Sequence, residues 1–242
     1  MDRQQRSAEL AKHSLPGLAL DIATGVVEDS ARDTAHSLFI PLRYEPRYDY
    51  PLIVWLHGSQ ANERQLPQIM PHLSLRNYVA IAPHGTVVAC NNATPVYSWG
   101  QADRHVQQAE QRVFDCIEIA RRRANFSATR IFLAGFDTGG SMAFRVALAH
   151  PERFAGVLSL CGSFPAGRKV FGNLEQTRRI PVFMAIGRKS TVYPPEMACG
   201  DLRLFHSAGM SVTLREYPCG QDLDPRMLHD VNRWIADIVS QK

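Results

Sequence analysis

The residues able to do chemistry gather in four short stretches. His57-Gly58-Ser59-Gln60-Ala61-Asn62-Glu63 joins an imidazole to a hydroxyl and a carboxylate. Gly135-Phe136-Asp137-Thr138-Gly139-Gly140 sets one carboxylate in a glycine-rich turn. Gly187-Arg188-Lys189-Ser190-Thr191-Val192-Tyr193-Pro194 carries two cations and a hydroxyl, and Tyr217-Pro218-Cys219-Gly220-Gln221-Asp222-Leu223 carries a thiol, an amide and a carboxylate. Chemistries with a known spacing fail here. Gly135 to Gly140 is not G-x-G-x-x-G, the dinucleotide fingerprint, and no G-x-x-x-x-G-K-[ST] phosphate cradle exists. Asp222, Asp224 and His229 match no spacing with a coordination logic, and Asp224 before Pro225 reads as a helix cap. No metal and no cofactor is therefore expected. Cys161 and Cys219 read as small hydrophobes, not reactive thiols.

Each stretch follows an apolar run that reads as a buried strand. Pro51–Leu56 precedes the first, Ile131–Ala134 the second, Pro181–Ile186 the third and Val212–Tyr217 the fourth. Ser37–Leu42, Tyr78–Ala82 and Phe154–Leu160 read as further strands. Between them lie helical patterns. Over Asp103–Ala124, Val106, Ala109, Val113, Cys116, Ile117 and Ala120 recur at steps of three and four. A second helix runs from the Gly139-Gly140 turn through Ala149 and ends at Pro151, and a third begins at Asp224-Pro225. Buried strands alternating with amphipathic helices predict an α/β fold: a mostly parallel sheet with helices on both faces. In such sheets ligands bind beyond the carboxyl ends of the strands, where the four stretches fall.

In order and spacing these loops resemble those of the α/β-hydrolase fold, and more narrowly the phospholipase/carboxylesterase family of small serine esterases, over about residues 35 to 240. That family carries G-x-S-x-G-G at a tight strand–turn–helix elbow. Here Gly135, Gly139 and Gly140 are kept, and Asp137 stands at the nucleophile position. Ser190 stands where the family has its acid, and Gln221 where it has its histidine. The resemblance implies that all three positions of the catalytic triad are substituted. It assigns the oxyanion donors to the backbone N–H groups of Ser59 and Thr138. His57 belongs to the oxyanion-loop motif and is expected to support that loop.

A serine nucleophile needs a base, and the base needs an orienting acid. Asp137 could attack as a carboxylate, as in the dehalogenase and epoxide-hydrolase branches of this fold, but a histidine is still required to activate water. Gln221 takes up no proton at neutral pH. His57, His84, His206 and His229 all read as structural or solvated, and Asp222 as a surface residue. The resemblance thus implies a catalytically inactive hydrolase-fold protein kept for binding, scaffolding or assembly, with another protein, a homo-oligomer or a small ligand in the old cleft as its partner. A hydrolase of carboxyl esters using Asp137 is the alternative. Asp137 is expected at the start of a helix, where the dipole favours its charge, within reach of Gln221. Arg188 is a further group placed to approach it.

Composition agrees with a globular chain. The 242 residues are 45% hydrophobic and 21% charged, which excludes a disordered or fibrous polymer. At about 150 residues per domain the length fits one large α/β domain, 1–242, with 1–34 an N-terminal extension or first strands. The net charge of +4 is too small to argue for nucleic acid. The basic runs Arg121-Arg122-Arg123, Arg178-Arg179 and Arg188-Lys189 read as solvated faces. No apolar run reaches the roughly 18 residues of a membrane span, and the start shows no leader pattern. Five widely spaced cysteines suit a reducing cytoplasm.

Overall fold

The computed structural model describes residues 35–91, 94–165 and 174–241. The 1–34 segment, read above as an extension or first strands, lies outside the described residues. Seven strands form one sheet: β1 (His36–Phe39), β2 (Tyr50–Leu56), β3 (Val79–Pro83), β6 (Phe126–Phe136), β7 (Gly156–Leu160), β8 (Val182–Gly187) and β9 (Val212–Tyr217). Their order is β1-β3-β2-β6-β7-β8-β9. Every pairing is parallel except β1 with β3 at the edge. A separate antiparallel pair joins β4 (Thr86–Asn91) to β5 (Thr94–Ser98). Helices α1 (Gln65–Leu73), α2 (Asp103–Arg123), α3 (Thr138–Ala149), α4 (Pro195–Ser207) and α5 (Pro225–Ser240) connect and cover the sheet.

The reason β2 reads as an unbroken apolar run is visible in its packing. Side chains alternate across a strand, and both faces of this sheet are covered. Leu52, Val54 and Leu56 point to one core with Val113, Ile117, Phe144 and Phe205 of α2, α3 and α4. Ile53 and Trp55 point to the other with Leu66, Met70, Leu228 and Ile235 of α1 and α5. Burying each such side chain is worth about 1.5–3 kcal/mol against leaving it in water. The Trp55 indole still needs a partner, and its Nε1–H donates to Gln65 Oε1 at 2.9 Å.

Most sequence-predicted elements are present with shifted ends. The early strand is shorter than Ser37–Leu42 and ends at Phe39. The strand predicted at Ile131–Ala134 begins earlier, at Phe126. Asp224 caps α5 by accepting from Arg226 N, with Pro225 at the first helical position. Helices α1 and α4 and the β4–β5 pair were not read from the sequence. Helix α1 contains Pro71, which lowers its helical signal, and is held by its buried Leu66, Ile69, Met70 and Leu73.

The topology places the site. From β2 the chain moves to β3 on one side, and from β6 it moves to β7, β8 and β9 on the other. The loops after these two neighbouring strands part there, and a crevice opens at such a switch point. Loops after β8 and β9 lie beside it at the same end.

Candidate functional site

Asp137 sits at the turn between β6 and α3 with φ 52° and ψ −121°, a backbone conformation that side-chain-bearing residues rarely adopt. Backbone bonds hold it there. Its N–H donates to Leu160 O at 2.8 Å, and its carbonyl accepts from Gly140 N at 2.9 Å and Ser141 N at 3.2 Å. Close packing leaves no room for side chains around it. A Cβ on Gly139 would collide with the Leu56 carbonyl and lie 2.5 Å from that of His57, and one on Gly135 would collide with the Gly139 carbonyl. Gly140 packs against Ser159 Oγ in the same way.

This backbone turns the Asp137 side chain away from its own helix. Asp137 stands at the start of α3 as expected, but its side chain makes no cap hydrogen bond to that helix. The carboxyl faces the other loops. Oδ2 accepts from Ser59 N at 3.2 Å, and Oδ1 accepts from Gln221 Nε2 at 3.0 Å. The Gln221 amide also donates to Cys161 O at 2.7 Å, so both its N–H bonds are used. Its Oε1 accepts from Ser190 Oγ–H at 2.7 Å. Ser190 Oγ in turn accepts from Tyr193 N at 3.0 Å and Val192 N at 3.3 Å. The amide fits only this way round, because rotated by 180° it would aim its oxygen at the acceptors Asp137 and Cys161 O.

The three candidate positions from three separate loops are thus one hydrogen-bonded chain. Two of these loops are tied by Arg188 N to Tyr217 O at 2.8 Å and Lys189 N to Cys219 O at 2.9 Å. The Arg188 side chain does not approach Asp137. It is 65% exposed and lies 3.5 Å from Glu216 Oε2 on β9, because its backbone runs alongside that strand and directs the side chain outward.

His57 is fully buried and holds the loop before Ser59. Its Nε2 accepts from Gly85 N at 3.0 Å, which leaves Nδ1–H to donate to Gly58 O at 2.8 Å. Burial pushes its pKa down to about 4. His84 pairs through Nδ1 with Glu63 Oε2 at 2.8 Å, and this bond holds the Glu63 carboxyl below the usual carboxylate range. His206 and His229 are exposed, on the last turn of α4 and on α5. None of these four histidines is a hydrogen-bond partner of Asp137, Gln221 or Ser190. Burial raises the Cys161 thiol to about 12 and also raises that of Cys219, so neither is a ready nucleophile. Asp222 is exposed, and Asp224 is spent on Arg226.

Sequence reasoning missed the support from β5. Thr138 Oγ1 lies 3.1 Å from Ser98 Oγ, Trp99 Nε1 donates to His57 O at 2.9 Å, and Gln60 N donates to Tyr97 O at 2.9 Å. The Thr86-Val87-Val88 run carried a β-branched strand signal that could have flagged the pair. Two surface cavities, of about 410 and 330 Å³, lie where strands begin, at the other end of the sheet. Tyr48, Tyr50 and Tyr78 line the first, and Tyr44 with Arg121, Arg122 and Arg123 the second.

Comparison with known proteins places this geometry in context. The family model for phospholipase/carboxylesterase matches residues 46–239. Zea mays acyl-protein thioesterase 2 superposes with a TM-score of 0.67 at 17% identity, covering 84% of this chain and 98% of that one. Arabidopsis thaliana SOBER1 gives 0.66 at 19% identity over 78% and 99%. The Bacillus cereus carboxylesterase gives 0.63 at 15% identity over 84% and 93%.

Proposed function

The chain belongs to the phospholipase/carboxylesterase family, and we propose that within it this protein is a non-hydrolytic member that works by binding or assembly. The observation that carries the reading is the direction of the hydrogen bonds. In a working triad the nucleophile donates to the base and the base donates to the acid. Here Ser190, at the acid position, donates to Gln221, and Gln221 donates to Asp137 at the nucleophile position. Every donor points toward the residue that would have to give up a proton.

The second support is the oxyanion loop. Ser59 N–H, assigned by the family resemblance to a substrate oxyanion, is already bonded to Asp137 Oδ2. A carbonyl oxygen entering the site would compete with a carboxylate held within the chain. Attack by Asp137 itself lacks its second half, because Gln221 cannot deprotonate water to clear an ester intermediate.

We expect no saturable turnover of short acyl nitrophenyl esters. A rate that saturates with substrate and vanishes in Asp137→Ala would overturn the proposal and establish an ester hydrolase. Stable coassembly of the purified chain with another protein supports the scaffold role, and a monomer with a small molecule in the cleft supports ligand binding. Cys116, Cys161, Cys199 and Cys219 are free, which suits a reducing, cytoplasmic setting.

A further inference from the structure

Helix α4 presents an outer face that nothing in the described chain covers. Six large apolar side chains are exposed among the described residues: Leu42, Tyr48, Val87, Val192, Met197 and Leu204. Three of them fall within residues 192–204. Met197 is 52% and Leu204 45% exposed. Between them, Gly200 is exposed, and a Cβ placed on it would meet no atom within 4 Å. Glycine inside a helix lowers its stability, and no neighbour among the described residues requires it. Glu196 and Arg203 are also exposed, and neither forms an ion pair among the described residues.

These five residues have a two-fold pattern. Glu196 and Arg203 are seven positions apart, about two turns, and so are Met197 and Leu204. Both pairs straddle Gly200. At about 100° per residue the two charges line one edge of the outer face and the two apolar side chains the other, with Gly200 between. A half-turn about an axis that lies between two copies above Gly200 and runs across the face, at right angles to the helix, reverses the helix direction and keeps each edge on its own side. Glu196 then meets Arg203 of a second copy, and Met197 meets its Leu204.

We propose that α4 is a homodimer contact, with two copies of the chain packed antiparallel and crossing at Gly200. The occupant is a second copy because the face is complementary to itself in both charge and apolarity, as an isologous interface requires. The missing Cβ lets the two backbones approach. A thirteen-residue helix is about 20 Å long, so the contact is smaller than a standard interface and the dimer is a reversible one. Its charged edge is open to solvent and weakens with salt. The contact does not depend on whether the site at Asp137 hydrolyses anything.

Sedimentation equilibrium of the full chain from low to several hundred micromolar tests this, with circular dichroism to confirm that each variant is folded. The wild type dimerises with rising concentration. Glu196→Arg and Arg203→Glu each weaken the dimer by about tenfold or more, and the two combined bring it back close to wild type. Met197→Asp leaves a folded monomer. A wild-type monomer at every concentration overturns the proposal. So does a dimer indifferent to the single reversals, or one that the double reversal fails to restore.

Discussion

Gln221 makes three hydrogen bonds with one side chain, and each partner depends on it. Ser190 Oγ–H, Cys161 O and Asp137 Oδ1 all meet its amide. Replacing it by leucine keeps the volume and strands all three groups in a half-buried setting. Gln221→Leu should lower stability by about 1–3 kcal/mol in urea unfolding. His57 gives a second prediction at this scale. Unfolded, it takes a proton near pH 6.5, and folded only near 4. Between these values the unfolded chain binds more protons, so stability falls as pH drops from about 6.5 and levels out below about 4. The full effect is about 3 kcal/mol. Comparing wild type with His57→Gln at pH 7, 5.5 and about 4 isolates it: the variant should show a flatter fall, whatever its stability at neutral pH.

At the scale of elements, close packing fixes the shape of the elbow. Asp137 retains a positive φ, and α3 retains its contact with the carbonyls at the end of β2. The reason is packing: Gly135, Gly139 and Gly140 set how closely helix and strand lie, and every residue of β2 is buried between them and the opposite core. A methyl on Gly139 meets the carbonyls of Leu56 and His57, which are backbone and cannot rotate away. Gly139→Ala is expected to cost roughly 1–3 kcal/mol, read as a fall in melting temperature. Gly200→Ala, in open space on α4, is expected to stabilise the monomer by up to about 1 kcal/mol. Equal effects from the two substitutions would refute the packing account.

At the scale of the whole molecule, the four loops still converge at one end of the sheet, and that makes the scaffold testable as a unit. If the three positions are those the family resemblance assigns, Asp137→Ser, Ser190→Asp and Gln221→His together put a nucleophile, an acid and a base on loops already within hydrogen-bond reach of one another. Arg188 is turned out to Glu216 and does not crowd the restored acid. Removing the Asp137 carboxyl also releases Ser59 N. Weak, saturable ester hydrolysis is expected from the triple variant, because triad and oxyanion donors act together. Asp137→Ser alone should do almost nothing. A folded triple variant with no activity would mean that the loops have moved from the geometry the chemistry needs.

The sequence by itself pointed to the α/β architecture, and its family resemblance singled out Asp137, Ser190 and Gln221 at the ends of strands. A short apolar run with β-branched and aromatic residues, such as Pro51–Leu56, reads as a strand buried on both faces, and the glycines at 135, 139 and 140 mark a turn packed too closely for a Cβ. It could also say that a glutamine is no base. Elements with a weaker pattern escaped it: α1 carries an internal proline, and β4 and β5 pair only with each other, outside the main sheet. Only the tertiary structure decided how the three polar residues meet. Asp137, Ser190 and Gln221 stand on separate loops, and the direction of a hydrogen bond depends on the backbone donors each loop brings in, such as Tyr193 N and Ser59 N. The same holds for Arg188, which the sequence puts beside the site and backbone pairing to the end of β9 turns away. Side-chain type is local, whereas the path of a loop is set by the neighbours it packs against.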